Sequence, residues 1–225
     1  MRQTFDIRGG PQLGRKNLPK LRMCLGEMGL DYFYIPHEDE YQNEYLPDAN
    51  ERLSWATGFT GSAGAAIIGQ SMAIVFVDGR YTLQAADQLD PDLFETAGLP
   101  DPGPFGWLSA QDLSGKSIGY DPRLMSPNDL DVLKKSSNAA GATLIRVDKN
   151  PVDLAWVDRP AEPLSPVIPY PIEFAGVSSE DKRNEIAETL SAQNADAAII
   201  TSPSSIAWLF NIRGGDVMCT PLPLG

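Results

Sequence analysis

One histidine, His37, and two cysteines, Cys24 and Cys219, are all that the 225 residues offer of those types. So small a set cannot build a Cys/His zinc cluster or the disulfide framework of a secreted scaffold. Cys24 falls on an apolar helical face, where a small buried thiol is the ordinary outcome, and a Cys24–Cys219 disulfide is not expected. Positive charge is also scarce. Eighteen Lys and Arg against 30 Asp and Glu leave a formal net charge of -12. That balance argues against nucleic acid, whose phosphates need a basic excess to neutralise them, and against anionic membrane surfaces. No apolar run approaches the length of a membrane span, and the opening MRQTFDIRGG lacks the apolar core of a signal peptide, so the cytoplasm is the expected compartment. What remains, 42% hydrophobic and 21% charged residues, is enough for a real core in one or two domains.

The chain is organised around Gly58–Leu89. Gly58, Gly61 and Gly64, with Thr60 and Ser62 between them, mark a tight turn or a close backbone approach. Two short apolar runs follow, Ala65–Ile68 and Met72–Val77, joined by Gly69-Gln70-Ser71, the pattern of a buried hairpin. Asp78-Gly79-Arg80-Tyr81 ends the second strand, and Thr82–Leu89 reads as a helix.

On either side the pattern alternates. Leu18, Leu21, Leu25 and Met28 recur at helical steps over Leu13–Met28, Gly29 stops that helix, and Asp31–Pro36 is an aromatic-biased strand. His37–Arg52 reads as an acidic surface loop with a helical turn around Ala49–Trp55. Asp90–Phe105 reads as loop around a short strand at Phe94–Thr96, with a helical turn at Trp107–Asp112. Ser117–Tyr120 is a strand, Ser126 caps a helix from Pro127 to Ser136, and Thr143–Val147 is a further strand. Pro151–Asp158 is a short helix. The order predicts an α/β fold, a mixed central sheet flanked by helices. The five prolines between Arg159 and Pro171 predict a stiff strap without ladder pairing. After it, a helix from Ser178 to Gln193, a strand at Asp196–Thr201 and a helix at Ser204–Phe210 begin an incomplete second α/β unit. Trp208, Leu209 and Phe210 make that last helix apolar on more than one face. The expected division is residues 1–155, a proline-rich linker at 156–175, and a second unit at 176–225. The arm Met1–Pro11 carries no pattern. A unit of roughly fifty residues is marginal alone, so the sequence reads as the opening part of a longer protein.

Three sites invite chemistry. Thr60-Gly61-Ser62-Ala63-Gly64 misses the Gly-x-Ser-x-Gly nucleophile elbow at Thr60, and a triad would need His37, which reads as a solvated loop residue. No Gly-Lys-Ser/Thr follows these glycines, so a phosphate loop is not indicated. Glu38, Asp39, Glu40 and Glu44 lack the twelve-residue calcium-loop pattern and read as a solvated acidic loop. For Asp78 and Arg80 two roles stay open. They form a buried pair that fixes the turn, with Asp78 as cap, or Arg80 presents its planar fork to a carboxylate of a substrate or of a partner subunit.

Over nearly its whole length the chain resembles the N-terminal region of cytosolic-type Xaa-Pro aminopeptidases, in the creatinase/prolidase-like pita-bread metallopeptidase family. The likeness is carried by Gly58-Phe59-Thr60-Gly61-Ser62-Ala63-Gly64, by Asp78-Gly79-Arg80-Tyr81 with Gln84-Ala85-Ala86, by Trp156-Val157-Asp158-Arg159-Pro160, and by Ile206 to Val217. The resemblance implies a creatinase-type, ribonuclease H-like first domain and the start of a second, both non-catalytic. It implies a longer parent that hydrolyses peptides with proline in second position. A divalent metal, expected to be manganese, would sit in a C-terminal catalytic domain. This part then carries no catalytic or metal residues, and Arg80 is the one candidate substrate contact. Its implied roles are in a homodimer and at the active-site entrance. The alternative is a stand-alone α/β module that binds a protein or a small ligand, with a Ser62 hydrolase third.

Overall fold

The computed structural model describes residues 8–224. Residues 1–7 of the expected arm lie outside the described residues, and at Pro11 the chain is already helical. The chain divides into two compact units, one running to Glu44 and resuming over Asn50–Pro160, the other formed by Tyr45–Ala49 and the chain from Ala161 onward.

The first unit is built on a six-stranded mixed sheet in the order β4-β3-β2-β1-β5-β6. Its strands are β1 (Tyr32–Pro36), β2 (Gly64–Gly69), β3 (Ala73–Val77), β4 (Glu95–Gly98), β5 (Ser117–Tyr120) and β6 (Thr143–Arg146). β2 pairs antiparallel with both β1 and β3, while β1–β5, β3–β4 and β5–β6 are parallel. β2 therefore runs against all the others, and the carboxyl ends of the other five lie along one rim. Side chains alternate across a pleated strand, and the core divides accordingly. Phe33, Ile35, Ala66, Ile68, Val75 and Val77 pack on one face, and Tyr34, Ala65, Ile67, Ile74, Phe76 and Ile118 on the other. Strands buried on both faces read as continuous apolar runs, which is why AAII and AIVFV show no polar alternation.

Helices α1 (Pro11–Glu27), α2 (Arg52–Thr57), α3 (Thr82–Gln88), α4 (Gly103–Ser109), α5 (Pro127–Ala139) and α6 (Pro151–Ala155) follow in chain order. α1 buries Leu18, Leu21 and Leu25 completely, each such side chain worth about 1.5–3 kcal/mol. Pro19 sits inside this helix on its exposed side, where water can satisfy the carbonyl its ring leaves without a donor. Ser126 caps α5 by accepting from Asp129 N, and Asn150 caps α6 by accepting from Val152 N. α2 ends at Gly58, left-handed at φ 92°. A Cβ there would lie 2.2 Å from the Gly10 carbonyl oxygen, so the close approach read from the glycines is real, and its partner is the entry to α1.

In the second unit, β7 (Ile168–Pro169) pairs antiparallel with β8 (Ile212–Arg213). α7 (Ile172–Ala175), α8 (Ser179–Ala192) and α9 (Pro203–Phe210) complete it. Ser178 caps α8 as its spacing to Asp181 suggests. Lys182 is buried. Its ammonium donates to Trp208 O at 2.8 Å and to Asn211 Oδ1 at 2.6 Å, closing the carboxyl end of α9. Asp216 accepts from Ser165 N and Leu224 N, both at 2.8 Å.

Five expectations need correction. Asp196–Thr201 is not a strand: no strand among the described residues pairs with it, and Ile199 is 92% exposed. The proline strap does hold a ladder, because Ile168 and Pro169 pair over two residues where an edge position tolerates proline. His37 is not solvated. It is 6% exposed because its N–H extends the β1–β2 pairing to Gly64 O at 3.1 Å and carries the ring inward. The acidic loop is not uniformly solvated either, since Asp39 is fully buried. Asp78 and Arg80 form a pair, but at the surface, because the turn lifts Arg80 off the sheet.

Candidate functional site at the carboxyl rim of the sheet

Where β3 ends, Asp78 caps a single 3-10 turn over Gly79–Tyr81. One carboxylate oxygen accepts both Arg80 N at 3.0 Å and Arg80 Nε at 2.8 Å. These bonds hold the Asp78 carboxyl below its ordinary range and raise the Arg80 guanidinium above its own. Arg80 stays charged, its carbon lies 5.5 Å from the centre of the Tyr81 ring, and 68% of its side chain is exposed. Nε is committed to the turn. The two terminal nitrogens have no partner among the described residues and point a rigid fork at solvent.

Two further loops bring side chains to this turn. Ser62, in the glycine-rich stretch, lies 3.1 Å from Glu44 Oε1 and 2.9 Å from the Tyr81 phenol oxygen. A hydroxyl has one proton and a carboxylate can only accept. Ser62 therefore donates to Glu44, and Tyr81 donates to Ser62. Gly61 allows the packing, since a Cβ there would press on the Phe59 and Tyr81 rings at 2.4 and 2.9 Å. This is not the Ser–His arrangement of a hydrolase: the hydroxyl of Ser62 donates to a carboxylate, and His37 is engaged through Nε2 with the Glu44 carbonyl at 2.9 Å rather than with Ser62.

Further along the rim the same turn is built again. Asp121 follows β5 and accepts from Arg123 N at 3.0 Å, Nε at 3.1 Å and Nη2 at 2.8 Å, and from Asn150 Nδ2 at 3.1 Å. Burial pushes the Asp121 carboxyl up, but the Arg123 and Asn150 bonds outweigh it and the group sits below its ordinary value. Beside it Arg52 is buried between Asp153 and Glu40, with Nε 2.8 Å from Asp153 Oδ1 and Nη2 2.9 Å from Glu40 Oε1. Burial lowers the Arg52 value, and the two carboxylates more than restore it. Asp39 anchors the adjoining loop by accepting from Tyr41 N, Asn43 N and Asn50 Nδ2. These acids are consumed by structure. Among the described residues no group of three or more His, Cys, Asp or Glu converges to hold a metal, and the residues present do not fit one.

The sequence singled out Arg80, Asp78 and Ser62 but not Glu44 or Tyr81 as their companions. The repeated Asp-x-Arg at 78–80 and 121–123 was a readable signal that the turn is a device of this rim. Arg80 is the copy with donors to spare. An exposed fork, a carboxylate and two hydroxyls form a surface suited to a carboxylate or a peptide backbone, not to covalent chemistry.

A family model described as Creatinase/Prolidase N-terminal domain matches residues 18–153, and a second of the same description matches residues 158–225. A probable Xaa-Pro aminopeptidase P of Ajellomyces capsulatus is 37% identical over 216 residues, covering 95% of this chain and 35% of the relative. One of Coccidioides posadasii is 39% identical over 210 residues, covering 92% and 34%. The crystal structure of the X-prolyl aminopeptidase from Caenorhabditis elegans, described as a cytosolic enzyme with a di-nuclear active site, superposes with a TM-score of 0.84 at 30% identity, over 93% of this chain and 36% of that one. The chain thus spans about a third of the length of the curated relatives it matches. No helix among the described residues is long and apolar enough to cross a membrane.

Proposed function

The chain belongs to the creatinase/prolidase N-terminal domain family, and from that premise we propose that it serves as the non-catalytic N-terminal region of a metal-dependent aminopeptidase that removes the residue preceding a penultimate proline. The observation that carries this reading is the alignment of nearly the whole chain with about a third of proteins named Xaa-Pro aminopeptidase P, through models described as the N-terminal domain of the family. The division proposed is a first domain over residues 1–155, a linker at 156–175 and the opening of the second at 176–225; the gap at 154–157 between the two family matches supports the first boundary, while the second match takes in residues 158–175 as well. The metal centre, with manganese as the proposed ion, belongs to the part of such enzymes beyond this region. The protein works as a cytoplasmic homodimer, and the carboxyl rim of the sheet borders the active-site entrance. There Arg80 binds a carboxylate of the peptide or of the neighbouring subunit. Support for that role lies in the division of labour on its guanidinium: Nε and the backbone N–H close the turn on Asp78, while the terminal nitrogens are left for a ligand.

Two measurements test the proposal. The first compares metal-supplemented hydrolysis of Xaa-Pro peptides by this chain and by a longer protein that joins it to the remaining portion found in its relatives. Activity confined to the longer protein is expected, and turnover by the chain alone overturns the reading. The second is Arg80→Ala in the longer protein. A fall in kcat/KM of about tenfold to a hundredfold, the worth of a charged hydrogen bond, is expected with melting and dimerisation unchanged. A variant that fails to fold, or one with full activity, removes Arg80 from the site.

A further inference from the structure

The outer edge of β4 is unpaired among the described residues, and its geometry stands independently of the aminopeptidase reading. β4 is the last strand on its side of the sheet. Leu99 N donates to Val77 O at 2.9 Å, which fixes the phase of the strand. Glu95, Ala97 and Leu99 turn their backbone groups towards β3, so Thr96 and Gly98 turn their N–H and C=O groups away from the sheet. No strand among the described residues takes them up. The faces follow from the register. Thr96 stands opposite Val75 and Gly98 opposite Val77, and both valines belong to the core on the α3 side. The Thr96 side chain and the bare Gly98 therefore face α3, while Ala97 joins the opposite core and Glu95 projects on that same opposite side.

Between β4 and α3 runs an open groove of about 370 Å³, lined by Val77, Thr82, Ala85, Ala86, Thr96 and Gly98. The lining is small and largely apolar, so the groove suits an aliphatic side chain such as that of valine. On the other face the exposed Glu95 carboxylate has no ion-pair partner among the described residues. A strand added to this edge would alternate its side chains across the same two faces. One set would enter the groove and the other would stand beside Glu95, where a cation is favoured over an anion. We propose that β4 accepts an extended peptide of alternating basic and small apolar residues, held by the outward backbone groups of Thr96 and Gly98. The net charge of -12 favours such a cationic strand over a second copy of the same acidic chain.

The test is fluorescence anisotropy of a labelled KVKVKVK peptide with the purified protein. Saturable binding that weakens with salt is expected, and a labelled KVKPKVK peptide of equal charge should bind at least about tenfold more weakly, because proline cannot complete the ladder. Thr96→Pro removes only an outward N–H, so the β3–β4 ladder and the melting temperature should survive while KVKVKVK affinity falls about tenfold or more. Ala86→Trp, at an exposed helix position, fills the groove and should do the same, and it carries the test if the proline variant does not fold. Equal binding of the two peptides, or unaltered affinity in Ala86→Trp, overturns the proposal. So does a sedimentation profile showing self-association that Thr96→Pro abolishes, which would assign the edge to a second copy instead.

Discussion

The indole of Trp55 stacks on that of Trp156 with ring centres 5.6 Å apart and 20° between the planes. Both rings are buried, so this one contact fastens α2 to the residue that ends α6. Trp156→Ala should destabilise the protein by about 3–5 kcal/mol, the cost of a large aromatic cavity. Trp156→Phe, which keeps a ring against Trp55, should cost less than half as much. Urea midpoints at constant m-value measure both, and an alanine variant as stable as the parent would show that the stack holds nothing together.

Gly58 and Gly115 both have positive φ, 92° and 75°, but a Cβ at Gly58 meets the Gly10 carbonyl oxygen at 2.2 Å, whereas at Gly115 nothing lies within 4 Å. Gly115→Ala should therefore cost only the left-handed backbone penalty, about 1–2 kcal/mol. Gly58→Ala should cost clearly more, because backbone must move at the entry to α1. Thermal unfolding of the two variants side by side decides the point. Equal losses would mean that the close approach to Gly10 is not a constraint.

The Asp121 carboxyl titrates below its unfolded value, near 3.9, because the bonds from Arg123 and Asn150 outweigh its burial. A group whose folded pKa is depressed contributes stability above its unfolded pKa and loses it as pH falls through the folded one. Asp121→Asn should thus be less stable than the parent by about 2 kcal/mol at pH 7. The gap should stay level down to about pH 5 and close below about pH 4. Melting temperatures of both proteins across that range supply the test, and a gap that does not change with pH would remove the charge from the explanation.

The sheet could be read from the sequence because its signals are local. Apolar runs on β2 and β3, the helical spacing of Leu18, Leu21 and Leu25, and serine caps at Ser126 and Ser178 need no knowledge of distant partners. Where the reading failed, the deciding partner lay elsewhere. Asp39 looks solvated until Asn50 and two backbone N–H groups close on it. His37 looks like loop until Gly64 pairs with it, and Asp196–Thr201 has strand composition but no neighbour to pair with. The candidate site divides the same way. The Asp78–Arg80 turn is legible because both residues lie in one tetrapeptide. Glu44 and Tyr81 were not, because strand order alone brings their loops to Ser62.

The one reversed strand has a kinetic consequence. β2 sits between β1 and β3 as their antiparallel neighbour in both sequence and space, and the β2–β3 turn closes over a few residues, whereas the β1–β5 pairing of Tyr32 with Ile118 must close a long loop. Short closures cost less entropy and come first. The β2–β3 hairpin at the heart of the meander β1–β2–β3 is thus the expected nucleus, with φ-values near the top of the range at Ile67 and Val75 and low ones at Ile118; the reverse order would refute it. Glu44, Ser62, Asp78, Arg80 and Tyr81 all hang from the meander or its bounding turns, so the strands that carry the rim cluster pair before β5 and β6 have joined the sheet.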